Sequence, residues 1–449
     1  MTSYTSNPRA RSARMLNGLV CGFAVVLLTR VAVIQVTSQY RDDARNAFVR
    51  GALATAIALP SVETTDGVTV VRSVRVGDAS IRHYSDSSLV PLLGVIPRGG
   101  YPTGLELGLA SDGGDPTIPR VLTIDAALQS QVSSAIGAEQ AAVLVLDLDG
   151  SVVAAVDRST EPVGDVNTIA STTPSPSAGP FRLWEPGHES VLFDRPVAPG
   201  STLKPLLIAR AYDAGLLEST EVFPAASGYA PPGGRRISNY AGELCPAGDV
   251  VDGLARSCNS TALTIVSRLT PRGVRDALAS DGFGTSHDAS RPTATSMTAL
   301  ADGWPGTVDE MSLSIIGQGE ARVTLLDLGL AYAGLAAGTR TPSPRFWTSD
   351  PKAKHGADAV SDDARKLVLA GMAAAADHGT ARALHGLDVV AKTGTATRDE
   401  HGNSDGWVVV LAPAIHPTHV VVVRVDGSTR SASSGEAARI AARIVPSLP

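Results

Sequence analysis

Ser201 and Lys204 stand three residues apart in Pro199-Gly200-Ser201-Thr202-Leu203-Lys204-Pro205, followed by the apolar run LLIARAYDAGLL. Pro-Gly makes a turn and the apolar run has helical character. Pro205 fits a helix only in its first turn, so Ser201 is expected at or beside the helix start. Residues three apart share a helical face, which brings the Lys204 amine toward the Ser201 hydroxyl. A helix N-terminus also favours negative charge on the serine oxygen. A hydroxyl, a nearby base and a positive local field are what an activated nucleophile needs. Taken alone, S-x-x-K also reads as an N-cap serine followed by a surface lysine. The chain holds a decoy of that kind, Ser349-Asp-Pro-Lys352, whose proline argues against a helix.

Two more short motifs follow. Ser257-Cys258-Asn259 is the one S-x-N in the chain, and Lys392-Thr393-Gly394-Thr395 is the one K-T-G, set in a strand-like run. Gly394 would let another group approach the backbone closely. Lys392 and the threonine hydroxyls have the chemistry to bind a carboxylate. Singly, Ser257 and Asn259 read as loop or cap residues and Lys392 as an edge-strand lysine. A chance K-T-G is expected in only about 0.05 chains of this composition, and all three motifs in order at roughly a per cent or less. Lysine usage sharpens the point. Only five of the 38 basic residues are lysines: Lys204, Lys352, Lys354, Lys366 and Lys392. A chain that prefers Arg should keep Lys where loss of a proton matters.

Elements must position these residues. The chain has 449 residues, 43% hydrophobic and 18% charged, with net charge −6. That supports a large core and two or three domains. With no basic stripe, nucleic-acid binding is not expected. Three cysteines make neither a disulfide scaffold nor a four-cysteine zinc site. Asp125–Ile136 is a helix with an acidic cap. Ala141–Leu148 and Ser151–Val156 form a hairpin across Asp149-Gly150. Residues 158–190, rich in Ser, Thr, Pro and Gly, read as a loop. From Ser201 to about Ala383 the pattern is mostly helical. Leu387–Thr397, Trp407–Leu411 and His419–Val425 are strands, and Glu436–Val445 is a closing helix. Two strands early and three late, around a helical insert, imply one discontinuous sheet covered by helices, an α+β layout. His416-Pro-Thr-His419 reads as a surface loop, not a metal site.

The N-terminal end reads as a membrane anchor. Arg9, Arg11 and Arg14 precede Leu16–Val36, an apolar run with one charge, Arg30. This is long enough to span a bilayer, and the positive flank places the N-terminus in the cytoplasm. The expected organisation is a cytoplasmic tail 1–14, an anchor 15–36, a short β-rich stalk or module 37–120 and a catalytic domain 121–449. Cys245 and Cys258 would then face an oxidising space. Two outcomes stand open for them: a disulfide bracing the S-x-N loop, or a buried free Cys258 with Cys245 exposed.

The three motifs in this order and spacing resemble the serine penicillin-recognising enzymes. The 56 and 135 residues between motifs suit the transpeptidase domain of penicillin-binding proteins. Val121-Leu-Thr-Ile-Asp125, Gly317-Gln318-Gly319-Glu320 and Trp407 through Ala412-Pro413 resemble further segments of that domain. Arg82-x-Tyr84, Gly94 and Gly104-Leu105-Glu106 resemble the linker of monofunctional class B members. The resemblance implies a five-stranded antiparallel sheet flanked by helices, with a mostly helical subdomain. It implies a peptidoglycan D,D-transpeptidase of the bacterial cell membrane, acting on D-alanyl-D-alanine stem peptides, acylated by β-lactams and needing no cofactor. A membrane glycan polymerase of the SEDS family is the implied partner. In that reading Ser201 is the nucleophile and Lys204 its base. Ser257 relays a proton, and Asn259 bonds Lys204 or the substrate amide. Lys392, Thr393 and Thr395 hold the carboxylate, and the N–H groups of Ser201 and Thr395 form the oxyanion hole. Rivals are a D,D-carboxypeptidase, a β-lactamase and a non-catalytic β-lactam sensor. A class A β-lactamase is disfavoured because no asparagine lies between Asn259 and Asn403. Residues 37–120 leave no room for a glycosyltransferase.

Overall fold

The computed structural model describes residues 58–449 except 99–101, 113, 163, 172–182, 185–186, 288–290, 353–358, 399–400 and 428–431. The apolar run Leu16–Val36 lies outside the described residues. Among those described, no helix is long and apolar enough to cross a membrane.

The expected β-rich module is a four-stranded sheet, β1 (Val62–Glu63), β2 (Thr69–Val76), β3 (Ala79–Tyr84) and β4 (Arg120–Val121), in the order β3-β2-β1-β4. Helix α1 (Gly104–Asp112) joins it through charge. Arg82, buried on β3, donates to Glu106 Oε1 at 3.0 Å and to the Pro60 carbonyl at 2.7 Å. Gly94 and Gly104 pass so closely that a Cβ on Gly94 would sit 2.2 Å from the Thr103 carbonyl oxygen. The Arg-x-Tyr, Gly and Gly-Leu-Glu residues are therefore the internal frame of this module.

The main domain begins with α2 (Ala126–Ile136), whose cap Asp125 accepts the Leu128 N–H at 2.7 Å. The hairpin β5 (Ala141–Asp147) and β6 (Val152–Asp157) follows. Among its described residues, the segment read as a loop over 158–190 contains one short helix, α3 (Val166–Ser171). It is held by tertiary contacts with little local signal: Asn167 accepts the Tyr84 N–H and donates to its carbonyl.

The chain then leaves the sheet for the helical insert. It holds α4 (Lys204–Asp213), a small hairpin β7 (Gly228–Tyr229) and β8 (Ile237–Ser238), α5 (Val250–Ala255), α6 (Asn259–Val266), the largely apolar and buried α7 (Leu325–Ala337) and α8 (Asp362–Asp377). The chain returns as β9 (Val390–Thr397), β10 (Ser404–Ala412) and β11 (His419–Val425), and closes with α9 (Ser434–Ile444).

The antiparallel order β6-β5-β11-β10-β9 is the expected discontinuous five-stranded sheet. Leu144, Leu146, Val409 and Val422 face α7 and the insert, whereas Val143, Val145, Val410 and Val423 face α2 and α9. Burial on both faces explains why these strands read as unbroken apolar runs without alternation. His419 corrects the surface-loop reading of its segment. It opens β11, is buried, and lies 3.2 Å from Asp147 Oδ1, while His416 is exposed in the turn before it. Strand β9 is left at one edge, and the turn carrying Ser201 packs on it.

Candidate active site

Ser201 lies in a short 3-10 turn, Gly200–Leu203, that runs directly into α4, with Pro205 in the helix's first turn as expected. Close backbone approaches at three glycines hold this turn. The Gly200 N–H donates to the Gly317 carbonyl at 2.9 Å. Gly200 has φ +58°, and a Cβ there would lie 2.5 Å from the Thr395 carbonyl oxygen. A Cβ on Gly317 would strike Gly200, and one on Gly394 would lie 2.6 Å from the Pro199 carbonyl oxygen. The Gln318 amide reaches the Thr395 carbonyl at 3.4 Å. Glycine is needed at these contacts because the backbones themselves meet.

Lys204 and Lys392 are both buried, at 1% and 0% exposure, and among the described residues neither has a carboxylate partner. Lys204 Nζ donates to the Ser257 carbonyl and to Asn259 Oδ1, both at 2.7 Å. Lys392 Nζ donates to Ser257 Oγ at 2.7 Å and to the Thr393 carbonyl at 2.8 Å. Ser257 thus stands between the two amines. It has φ +59°, a conformation costing a non-glycine residue about 1–2 kcal/mol. Burial, and then the neighbouring Lys392 charge, hold Lys204 well below the ordinary lysine range. Burial brings Lys392 down to about 7. A neutral amine has two N–H donors and one lone pair. For Lys204 both donors are occupied, which leaves the lone pair for a proton.

Asn259 opens α6, and its amide nitrogen donates to the Ser238 carbonyl at 2.7 Å. Of its two expected partners, the structure places it on Lys204. Asn239 accepts the Ser260 N–H at 2.9 Å, so the β8 loop braces the whole motif. The open question about the cysteines resolves as the bridge: Cys245 and Cys258 form a disulfide with Cα atoms 6.1 Å apart. It ties this loop to the residue between Ser257 and Asn259.

The K-T-G threonines differ. Thr395 is half-buried beside the nucleophile turn, whereas Thr393 is buried and its hydroxyl pairs with Thr380 Oγ1 at 2.5 Å. Thr380 is a residue that sequence reasoning missed. It follows α8 and donates its N–H to the Ala255 carbonyl, just ahead of Ser257. No periodicity marks such a residue. The decoy Lys352 is exposed and far in sequence from these contacts.

A serine at a helix start, two buried lysines without counterions and a glycine-bearing edge strand define an acyl-transfer type of site. The sequence profile of the penicillin binding protein transpeptidase domain matches residues 140–446, and the chain belongs to that family. Among curated relatives it is similar to peptidoglycan D,D-transpeptidase PbpA of Mycobacterium tuberculosis, 26% identical over 298 residues, which are 62% of this chain and 60% of that protein. The PbpA of Mycolicibacterium smegmatis is 28% identical over 303 residues, with the same shares of 62% and 60%. The chain therefore spans about 60% of the length of the curated relatives it matches. Its fold is similar to the solved structure of penicillin-binding protein A from M. tuberculosis in a ceftriaxone acyl-enzyme complex. The TM-score is 0.74 at 21% identity, over 89% of this chain and 99% of the other.

Proposed function

We propose that this chain is a serine D,D-transpeptidase of peptidoglycan synthesis. The observation that carries the reading is the Lys204 amine: buried, without a counterion and with both N–H donors engaged, one turn from Ser201. Such an amine is a base at neutral pH. In the proposed reaction Ser201 Oγ attacks the penultimate carbonyl of a D-alanyl-D-alanine stem and its proton passes to Lys204 Nζ. The N–H groups of Ser201 and Thr395 receive the oxyanion, as donors fixed in advance are best able to do. As the C–N bond breaks, Ser257 passes its proton to the leaving amine of D-alanine and takes in its place the proton that Lys204 received. A second stem's amine then attacks the acyl-serine, Lys204 takes a proton from that amine, and the C–O bond breaks as the proton returns to Ser201 Oγ, which completes a cross-link.

Lys392 and Thr395 would bind the terminal carboxylate. Thr393 would join them if Thr380 turns to donate to it, freeing its own proton for the ligand. β-Lactams would acylate the same serine. The arginine flank and apolar run at the N-terminus support a single-pass anchor in the bacterial cell membrane, with this domain outside. A SEDS-family polymerase is the partner this reading proposes, in cell division or cell shape. Mass spectrometry after fluorescent-penicillin labelling tests the proposal: the adduct is expected on Ser201. An adduct on another residue, or one that persists in Ser201→Ala, would overturn it.

A further inference from the structure

The turn that carries Ser201 has a carbonyl that its own helix leaves without a donor. Its hydrogen bonds can be followed one by one. The Gly200 N–H goes to Gly317, and the Thr202 hydroxyl donates to the Pro199 carbonyl at 3.0 Å. The Ser201 carbonyl accepts the Lys204 N–H in the last 3-10 bond. The next such bond would run from residue 205 to the Thr202 carbonyl, but residue 205 is proline and has no N–H. The α-helical ladder does not replace it. Helix α4 starts at Lys204 with Leu203 as its cap, so the first carbonyl in the ladder is that of Leu203. Thr202 is fully buried, so water does not reach this group.

The donor comes from elsewhere. Tyr332, fully buried on α7, donates its hydroxyl to the Thr202 carbonyl at 2.6 Å. Burial, and then the Asp281 carboxyl, hold this phenol well above its usual range, so it remains a proton donor wherever the enzyme works. Helix α7 also packs on the central strands β5 and β11. On its sheet side, a Cβ added to Gly329 would lie 2.7 Å from Leu146 Cδ1, so the helix lies close against the sheet.

We infer that Tyr332 is a positioning residue for the nucleophile. Its hydroxyl supplies the hydrogen bond that Pro205 withholds from Thr202, and so fixes the turn that presents Ser201 to Lys204. The inference rests on Ser201 as the acylated residue.

A double-mutant cycle on the full chain tests it, with Tyr332→Phe, Pro205→Ala and the pair. Stopped-flow labelling with a fluorescent penicillin separates initial binding from the acylation step, and the thermal midpoint confirms that each variant is folded. Tyr332→Phe is expected to slow acylation by up to about a hundredfold, since small misplacements of reacting groups cost that much, with initial binding unchanged. In the Pro205→Ala background the same change should cost only a few-fold, because the alanine N–H can now take the Thr202 carbonyl. An equal loss in both backgrounds would overturn the inference, as would folded Tyr332→Phe acylating at the wild-type rate. Mapping the wild-type adduct keeps the two readings apart. An adduct on Ser201 with no coupling defeats the role of Tyr332 alone, whereas no adduct there defeats both.

Discussion

Two pairs of buried charged residues, one in the N-terminal module and one in the cleft, are built by opposite rules. In the module, Arg82 and Glu106 face one another at 3.0 Å with the remaining guanidinium donors on Pro60, Leu59 and Ser73. In the cleft, Lys204 and Lys392 carry like charges and meet only neutral oxygens. The first arrangement offsets the cost of burial with an opposite charge. The second leaves that cost in place and lowers it by giving up a proton. A joint can be held by satisfied charge, but a base must be held by groups that do not neutralise it.

Breaking each pair should therefore give opposite signatures. Lys204→Met removes the proposed base, and acylation by a fluorescent penicillin should slow by roughly 10²–10⁴-fold. Its thermal midpoint should stay level or rise, because an uncompensated buried amine has gone. Arg82→Met should do the reverse. It leaves Glu106 buried and unpaired, for a loss of about 3–5 kcal/mol in urea unfolding. The fraction that remains folded should acylate at the wild-type rate. A second change, Glu106→Leu, should recover most of that stability.

The pH dependence of stability sharpens the contrast, and its sign differs between the sites. Lys392 titrates at about 7 in the folded chain against 10.5 for an ordinary lysine, so the folded state binds fewer protons across that window. Relative to Lys392→Met, the wild-type chain should gain stability as pH rises from 7, by at most about 1.4 kcal/mol per pH unit. Glu106 is held above the ordinary 4.5 by burial, which outweighs the Arg82 charge. Its folded state binds the extra protons, so stability relative to Glu106→Gln should fall as pH rises above 4.5. Denaturant titrations of each pair of proteins across pH read both slopes. The smallest effect belongs to Thr380→Val, which removes one hydroxyl partner of Thr393. Loss of that hydrogen bond should lower the stability read in urea unfolding by about 0.5–1.5 kcal/mol.

The sequence disclosed the cleft residues better than their supports. Ser201, Lys204, Ser257, Asn259 and Lys392 were legible because chemistry imposes residue types at short spacings. The scarcity of lysine then separated Lys204 and Lys392 from the charged surface. The sheet was legible from four apolar runs, the strand-like run around Lys392-Thr393-Gly394 and the turn between the first two. What could not be read were contacts between elements distant in sequence. Thr380 meets Thr393 across a turn with no pattern of its own, and Tyr332 meets Thr202 across 130 residues. The helix Val166–Ser171 hides in a Ser/Pro-rich stretch because the module beneath it, through Tyr84, supplies its bonds.

The central claim is that two buried lysines give up protons at working pH, one of them a single turn from the serine. With only five lysines in the chain, ε-carbon-labelled lysine gives an NMR spectrum simple enough to titrate group by group. Assignment follows from the resonances lost in Lys204→Met and Lys392→Met. The expected result is that the Lys392 resonance titrates near 7 and the Lys204 resonance well below the ordinary lysine range. If both hold their protons up to that range, near 10.5, Lys204 is not the base and the account fails.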